Sequence, residues 1–341
     1  MLSVAVVGGS GYIGGELLRL LLCHPKVRVA AVTSDRLAGR RVDGVHPNLR
    51  GLTDLCFSPL DALEACDVAF VARPHTQTME LMPRLLEIGK QVIDLSGDFR
   101  LRDPAVYERY YGVPHADPGL IPTFAMGLPE LNRERLTTAD RVSVPGCMAV
   151  AAILALHPLT EAGLVTGDLT VDARTGSSGA GAAAGEVNLH AERSGVLRVF
   201  APLHHRHEAE ISQATGRDVR MTATGVEAVR GVQVLCRATL TGGAGERDVR
   251  RAYRERYRDE PFVRVVAHRR GPYRLPEHKI LSGSNLCDVG FAVDEESRTV
   301  LAVAALDNLM KGGAGSAVQC LNVRLGWPER LGLEFPGLHP I

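Results

Sequence analysis

Lysine is nearly missing: only Lys26, Lys90, Lys279 and Lys311 occur in 341 residues, beside 35 arginines. Any chemistry that needs a lysine has four candidates. Net charge is missing too, since 39 basic side chains meet 39 acidic ones. That balance argues against a protein held to polyanions by bulk charge, so no nucleic-acid partner is expected, while local basic groups stay open. Paired cysteines are absent as well. Seven Cys at scattered spacings, with no CxxC, offer neither a disulfide framework nor a zinc ribbon and read as reduced thiols of a cytoplasmic protein. The longest apolar run, residues 148–156, falls short of the roughly 20 residues that cross a bilayer. Residues 1–7 carry no basic stretch before a glycine motif begins, so neither a signal peptide nor a membrane contact is expected.

What remains is ample core material, with 45% hydrophobic and 23% charged residues, in a chain long enough for about two domains. Residues 4–7 form an apolar run that ends in glycines. A helical pattern follows, with Ile13, Leu17, Leu18, Leu21 and Leu22 on one face, closing near His24-Pro25. Apolar runs at 27–32, 68–72 and 91–95 alternate with helical stretches near 61–65 and 78–88. Such alternation predicts an α/β, doubly wound parallel sheet. After about residue 145 the segments lengthen. Residues 169–173, 220–228, 231–240, 289–293 and 299–305 read as strands of an α+β domain with a mixed or antiparallel sheet. Residues 246–258 carry Val249, Ala252, Tyr253 and Tyr257 at helical spacing with a solvated arginine face, and residues 315–325 form a helix stopped by Gly326.

Four groups of residues carry chemistry. The first is Gly8, Gly9, Ser10, Gly11, Tyr12, Ile13 and Gly14, a G-x-G-x-x-G loop between a strand and a helix. Glycine there lets the backbone approach a pyrophosphate seated at the helix N-terminus. Beyond the next strand, Asp35 favours the ribose hydroxyl of NAD. Ser34, Arg36 and Arg40 favour the 2′-phosphate of NADP and tilt the expectation to NADP(H). The second is Val144-Pro145-Gly146-Cys147 before an apolar helix, where the positive end of the helix dipole stabilises a thiolate nucleophile. The other six Cys read as packing residues. The third is His204-His205-Arg206-His207-Glu208-Ala209-Glu210. Read as extended, it puts His205 and His207 on one side, with Glu210 orienting an acid/base histidine. No partner ligand at metal spacing accompanies it, so no metal is expected. The fourth is Gly176-Ser177-Ser178-Gly179-Ala180-Gly181, either an anion nest or a flexible loop. Asp98-Phe99-Arg100 adds an arginine soon after a strand end, suited to phosphate or merely exposed.

Gly9–Gly14, Asp94-Leu95-Ser96-Gly97-Asp98-Phe99-Arg100, Gly127-Leu128-Pro129-Glu130, Pro145-Gly146-Cys147, Ser178-Gly179-Ala180-Gly181, His205-Arg206-His207 and Asp307-Asn308-Leu309 together resemble the N-acetyl-γ-glutamyl-phosphate reductase family, a relative of aspartate-semialdehyde dehydrogenase. The likeness spans nearly the whole chain. Residues 192–200 and 321–329 resemble the branch that reduces aminoadipyl 6-phosphate attached to LysW, a small acidic amino-group carrier protein of lysine synthesis. The arginine-synthesis branch, which reduces free N-acetyl-glutamyl 5-phosphate, remains the alternative, as does use of both substrates. Against that branch stand Val144 and Met148 around Pro-Gly-Cys and His204 where a glycine is usual.

The resemblance implies an NADPH-dependent acyl-phosphate reductase working through a thioester on Cys147, with His207 as acid/base and Glu210 beside it. It implies Arg100, Glu130, Ser178, Gly179, His205 and Arg206 on the substrate side and Asn308 near the nicotinamide. It also implies a Rossmann domain over residues 1–146, a catalytic and oligomerisation domain over 147–312, and a last helix in 313–341 returning to the first. A dimer or tetramer is expected. Arg193, Arg198 and Arg206, then Arg264, His268, Arg269, Arg270 and Arg274, form two basic groups that would steer an acidic carrier, or simply a solvated surface. Two further readings stay open. The glycine loop also resembles extended short-chain dehydrogenases and sugar epimerases, but no lysine lies four residues after a tyrosine as they require. A non-catalytic NADP-binding regulator would leave the cysteine and histidines without a purpose.

Overall fold

The apolar runs of the N-terminal half become six parallel strands in a computed structural model that describes residues 1–341, the side chain of Val187 excepted. In chain order these elements are β1 (Leu2–Val7), α1 (Tyr12–Leu22), β2 (Val27–Thr33), β3 (Cys66–Val71), α2 (Met82–Ile88), β4 (Gly89–Asp94), α3 (Pro104–Tyr111), β5 (Ala125–Met126), α4 (Pro129–Leu136) and β6 (Arg141–Ser143). The order across the sheet is β2-β1-β3-β4-β6-β5. The chain leaves β1 through α1 to β2 on one side and then returns to β3 on the other. This reversal puts the topological switch point between β1 and β3, where open α/β sheets bind ligands beyond the strand ends. Val4 to Val7 and Val68 to Val71 are wholly buried, as central strands require. β2 is an edge strand with alternating burial, not the fully buried strand its apolar run suggests.

The second half folds around a mixed sheet. Its elements are α5 (Cys147–Glu161), β7 (Val165–Thr175), α6 (His190–Arg193), β8 (Leu197–Ala201), α7 (His207–Thr215), β9 (Val219–Val226), β10 (Val232–Leu240), α8 (Glu246–Tyr257), β11 (Val263–Val265), β12 (Cys287–Asp294) and β13 (Thr299–Leu306). The sheet order is β11-β12-β13-β10-β7-β9-β8, with parallel pairs at β11/β12 and β7/β9 and antiparallel pairs elsewhere. Apolar all round, α5 is buried over nearly its whole length. Pro158 inside α5 cannot donate to Leu154 O, and the Tyr257 hydroxyl on α8 donates to that carbonyl instead, at 2.7 Å. The last helix, α9 (Gly315–Arg324), ends before Gly326, whose φ of +64° suits the glycine stop.

These elements form two compact units, Met1–Pro145 with Gly181–Ala183 and Gly313–Glu334, and Gly146–Ala180 with Ala184–Gly312 and Phe335–Ile341. Two helical expectations shrink. Residues 61–65 contribute only a three-residue turn, Leu60–Ala62, because Leu63 is extended. The helix expected over 78–88 begins at Met82, since the Thr78 and Met79 amides donate to the Asp98 carboxylate instead of opening a helix. No helix among the described residues is long and apolar enough to cross a membrane.

Candidate active site

The glycine loop joins β1 to α1 in the first unit, and each glycine answers a different neighbour. Gly8 has a φ of +82°, and a Cβ there would meet Ala72 O at 2.6 Å. On Gly9 it would strike the Val32 side chain at 2.2 Å, and on Gly14 the Gly9 Cα at 2.6 Å, so α1 packs directly on the loop. Gly11 differs. A Cβ there would meet only Gly8 O, at 4.0 Å, so packing does not require this glycine. Its free face is what close approach of a pyrophosphate to the backbone demands, so the loop fits a dinucleotide. Tyr12 and Ile13 open α1, Tyr12 exposed and Ile13 half-buried. His46, which nothing local in the sequence singles out, donates from Nε2 to Gly9 O at 2.8 Å and braces the loop from 37 residues away.

At the end of β2 the Ser34 hydroxyl lies 2.9 Å from the Ser10 hydroxyl, tying strand end to loop. Asp35, which spoke for NAD in the sequence, is occupied. Its carboxylate accepts the Leu60 N–H at 2.9 Å and Arg73 at 3.4 Å, and the Leu60 bond chiefly holds its pKa below the usual range. Arg36 and Arg40 are exposed beside it.

The second unit builds its chemistry at the start of α5. Gly146 is the N-cap and Cys147, half-buried, opens the helix, so the sulfur sits where the macrodipole favours a thiolate. A Cβ on Gly146 would lie 2.0 Å from His207 Nε2, so the imidazole occupies the space that this glycine leaves empty, one residue from Cys147. Gly312 performs the same service on the other side, where a Cβ would meet the Cys147 Cβ at 2.5 Å. Glu210 Oε2 accepts the Gly146 N–H at 2.8 Å while Oε1 lies 3.9 Å from His207 Nε2. One buried carboxylate thus ties the corner before Cys147 and also lies close to the histidine.

The extended reading of residues 204–210 is overturned: α7 starts at His207. His204 takes φ +58°, in the left-handed region that favours glycine. Arg206, half-buried, is the N-cap of α7. His205 is buried, and its Nδ1 accepts the His207 backbone N–H at 3.2 Å. Burial, aided by the Arg206 charge, lowers its pKa to about 4, so it is neutral at pH 7 with its proton on Nε2.

The loop at 176–181 is neither a nest nor flexible at its start. The N–H groups of Gly176, Ser177, Ser178 and Gly179 all donate to backbone carbonyls, leaving none of the four to an anion. Ser178 Oγ donates to Val229 O at 2.7 Å and accepts from Asn308 Nδ2 at 2.9 Å. Asn308 Oδ1 in turn accepts the Gly231 N–H. Both side chains therefore hold this loop, and Gly179 lies exposed at its tip. In the first unit, Glu130 is buried at the start of α4 and accepts from Gln319 on α9 at 3.1 Å. Arg100 donates to Val144 O at 2.8 Å and Leu95 O at 2.9 Å, so its guanidinium is held against the ends of the strand segments.

The basic groups are partly spent. Arg193 donates to Val226 O, Arg198 to Glu192 O, and Arg264 makes a two-pronged pair with Asp288. His268, Arg269, Arg270 and Arg274 remain exposed. The cysteine expectation also needs correcting. Cys66, Cys236, Cys287 and Cys320 are buried packing residues, but Cys23 and Cys56 are exposed. No group of three or more His, Cys, Asp or Glu able to hold a metal occurs among the described residues.

Comparison with known proteins covers both units. Residues 3–139 match the family profile described as semialdehyde dehydrogenase, NAD binding domain, and residues 147–308 match semialdehyde dehydrogenase, dimerisation domain. A Deinococcus radiodurans protein named [LysW]-L-2-aminoadipate 6-phosphate reductase is 47% identical, over 99% of this chain and 98% of its own. A Thermomicrobium roseum protein that carries the same name provisionally is 50% identical over all of both chains. Among solved structures, aspartate semialdehyde dehydrogenase with NADP from Candida albicans shares the fold, with a TM-score of 0.67 at 16% identity, covering 96% of this chain and 99% of that one. Profiles that account for both units, and relatives matched end to end at this identity, make the chain an enzyme of the semialdehyde dehydrogenase family, grouped with its phosphate reductases.

Proposed function

We propose that this enzyme reduces the acyl phosphate of carrier-linked L-2-aminoadipate to the semialdehyde, with NADPH as reductant and a thioester on Cys147 as intermediate. The observation that carries the reading is the His207 ring seated in the gap left by Gly146, directly before Cys147 at the start of α5. The relatives named for LysW-linked aminoadipate phosphate support the substrate class. An Asp35 already occupied, with Arg36 and Arg40 exposed, supports the 2′-phosphate of NADP over the bare ribose of NAD.

The Cys147 thiolate attacks the acyl carbon, the C–S bond forms, and the C–O bond to phosphate breaks with its electron pair leaving on phosphate. Arg100 recognises that phosphate, and His205 offers its Nε2–H to the substrate as a neutral donor. Arg206 and Gly179 line the substrate side, while Ser178, Asn308 and Glu130 keep its loops in shape. Gly8 to Gly14 with Ser34, Arg36 and Arg40 would hold NADPH, which would supply the hydride for reducing the thioester. His207, steadied by Glu210, gives a proton to the developing alkoxide and takes it back as the C–S bond breaks, releasing aldehyde and thiolate. The carrier is a small acidic protein steered by the exposed arginines, and the enzyme works as a cytoplasmic homo-oligomer.

The test compares NADPH oxidation on carrier-linked aminoadipyl phosphate with that on free N-acetyl-glutamyl phosphate. Preference for the free compound overturns the substrate. Cys147→Ala should lower turnover on either by at least about 1,000-fold while NADPH still binds, and a variant that keeps most activity overturns the thioester.

A further inference from the structure

The motif around Arg100 contains a second residue that the mechanism leaves unused. Asp98 is fully buried, and its carboxylate accepts four donors. Oδ1 takes the Thr76 N–H at 2.6 Å and the Tyr107 hydroxyl at 3.1 Å, while Oδ2 takes the Thr78 N–H at 2.9 Å and the Met79 N–H at 3.0 Å. Three of these donors belong to one short loop after β3. Thr76, in that loop, sits at φ +68°, a conformation that a β-branched residue keeps only when its surroundings impose it. Met79 Sδ, also buried, accepts the Ala116 N–H, so the far end of the loop is held as well.

The position of this loop gives the clasp its meaning. It continues from Ala72 and Arg73, against which Gly8 packs so closely that a Cβ would touch Ala72 O. β1 and β3 flank the switch point, so the loop that begins with Ala72 and Arg73 leaves β3 beside the glycine loop, where open α/β sheets take their ligands. Arg73 crosses from this loop to Asp35 at the β2 end. We propose that Asp98 is a positioning residue for the dinucleotide site: by gathering the amides of Thr76, Thr78 and Met79 it presets this loop before the cofactor arrives. A loop fixed in advance lowers the ordering cost of binding. The proposal rests on the dinucleotide reading of the glycine loop.

Three proteins test it: wild type, Asp98→Asn and Tyr107→Phe. Asparagine turns an acceptor into a donor facing amide donors, whereas Tyr107→Phe removes one donor and leaves the loop amides in place. Asp98→Asn should raise the KM for NADPH about tenfold and change the KM for the acyl phosphate less than about twofold, with Tyr107→Phe near wild type in both. If both variants raise the NADPH KM only in step with their loss of thermal stability, Asp98 serves stability alone and the proposal is overturned. Hydrogen exchange on the wild type gives a second reading that survives a misfolded variant. The amides of Thr76, Thr78 and Met79 should exchange as slowly as those of β3 without NADPH. Protection that appears only after NADPH is added would show that the ligand orders the loop, and would overturn the proposal. A wild type that binds no NADPH at all defeats the dinucleotide reading itself, a separate failure.

Discussion

Both units exploit missing side chains, but to opposite ends. In the first unit Gly11 leaves its outer face empty for something that is not protein, since its nearest neighbour would be a carbonyl 4.0 Å away. In the second, Gly146 and Gly312 leave gaps that the protein fills itself, with the His207 ring and the Cys147 side chain. One region leaves backbone open; the other packs side chains into the gaps. The same substitution should therefore damage stability and chemistry in one place and ligand affinity alone in the other.

Gly146→Ala is the severest test of that contrast. The methyl group and the imidazole cannot both occupy the site, so His207 must move and turnover should fall by about 100-fold, the scale of losing a general acid/base. Thermal unfolding should also shift downward. A variant with near-normal turnover would mean that His207 is not the working histidine. Acid should next distinguish the units. His205 is lowered to about 4 in the folded chain against an ordinary value near 6.5. The stability it contributes is present above pH 6.5 and is lost as pH falls toward 4, because the unfolded chain takes up the proton first. His205→Gln should reduce the loss between pH 7 and pH 5 by about 1–2 kcal/mol in urea titrations. His24, His115 and His278, also lowered by burial, act in the same direction, so the difference between the two proteins is what counts.

Gly11→Ala should leave unfolding unchanged and raise the KM for NADPH about tenfold, since the backbone no longer meets the pyrophosphate closely. Lowered stability there would place protein rather than ligand against its outer face. Asp35→Ala should do least. With its carboxylate already taken by Leu60 and Arg73, the ratio of NADPH to NADH efficiency should change less than about twofold, judged by kcat/KM for each. A large rise in that ratio would mean that Asp35 does contest the 2′ position.

The sequence made Cys147 and the glycine loop legible because strand, turn and helix are neighbours in the chain there. The orientation of His205 and His207 departs from the extended expectation although the sequence carries its signal. Glu208 and Glu210 in a first turn, and Gly216 as a left-handed stop at φ +65°, describe a helix over 207–215. Asp103-Pro104 likewise marks the start of α3 as N-cap and first residue, yet so short a helix carries no periodic apolar stripe. Other features had no local signal. His46 reaches Gly9 across 37 residues, and Asp98 gathers amides about 20 residues earlier in the chain. Such contacts depend on which strands become neighbours, and no spacing within one segment encodes that.

The way α9 belongs to the first unit has a consequence for synthesis. Its residues are buried almost throughout, and Gln319 and Asn322 meet Glu130 and His24 from the opposite end of the chain. A nascent chain that has released residues 1–145 from the ribosome still lacks the helix that covers part of this unit, and must make all of residues 146–312 before it arrives. The β1–β6 sheet therefore waits through about half of translation with apolar surface uncovered, and a protein cut short at residue 312 should be a client of chaperones rather than a smaller enzyme.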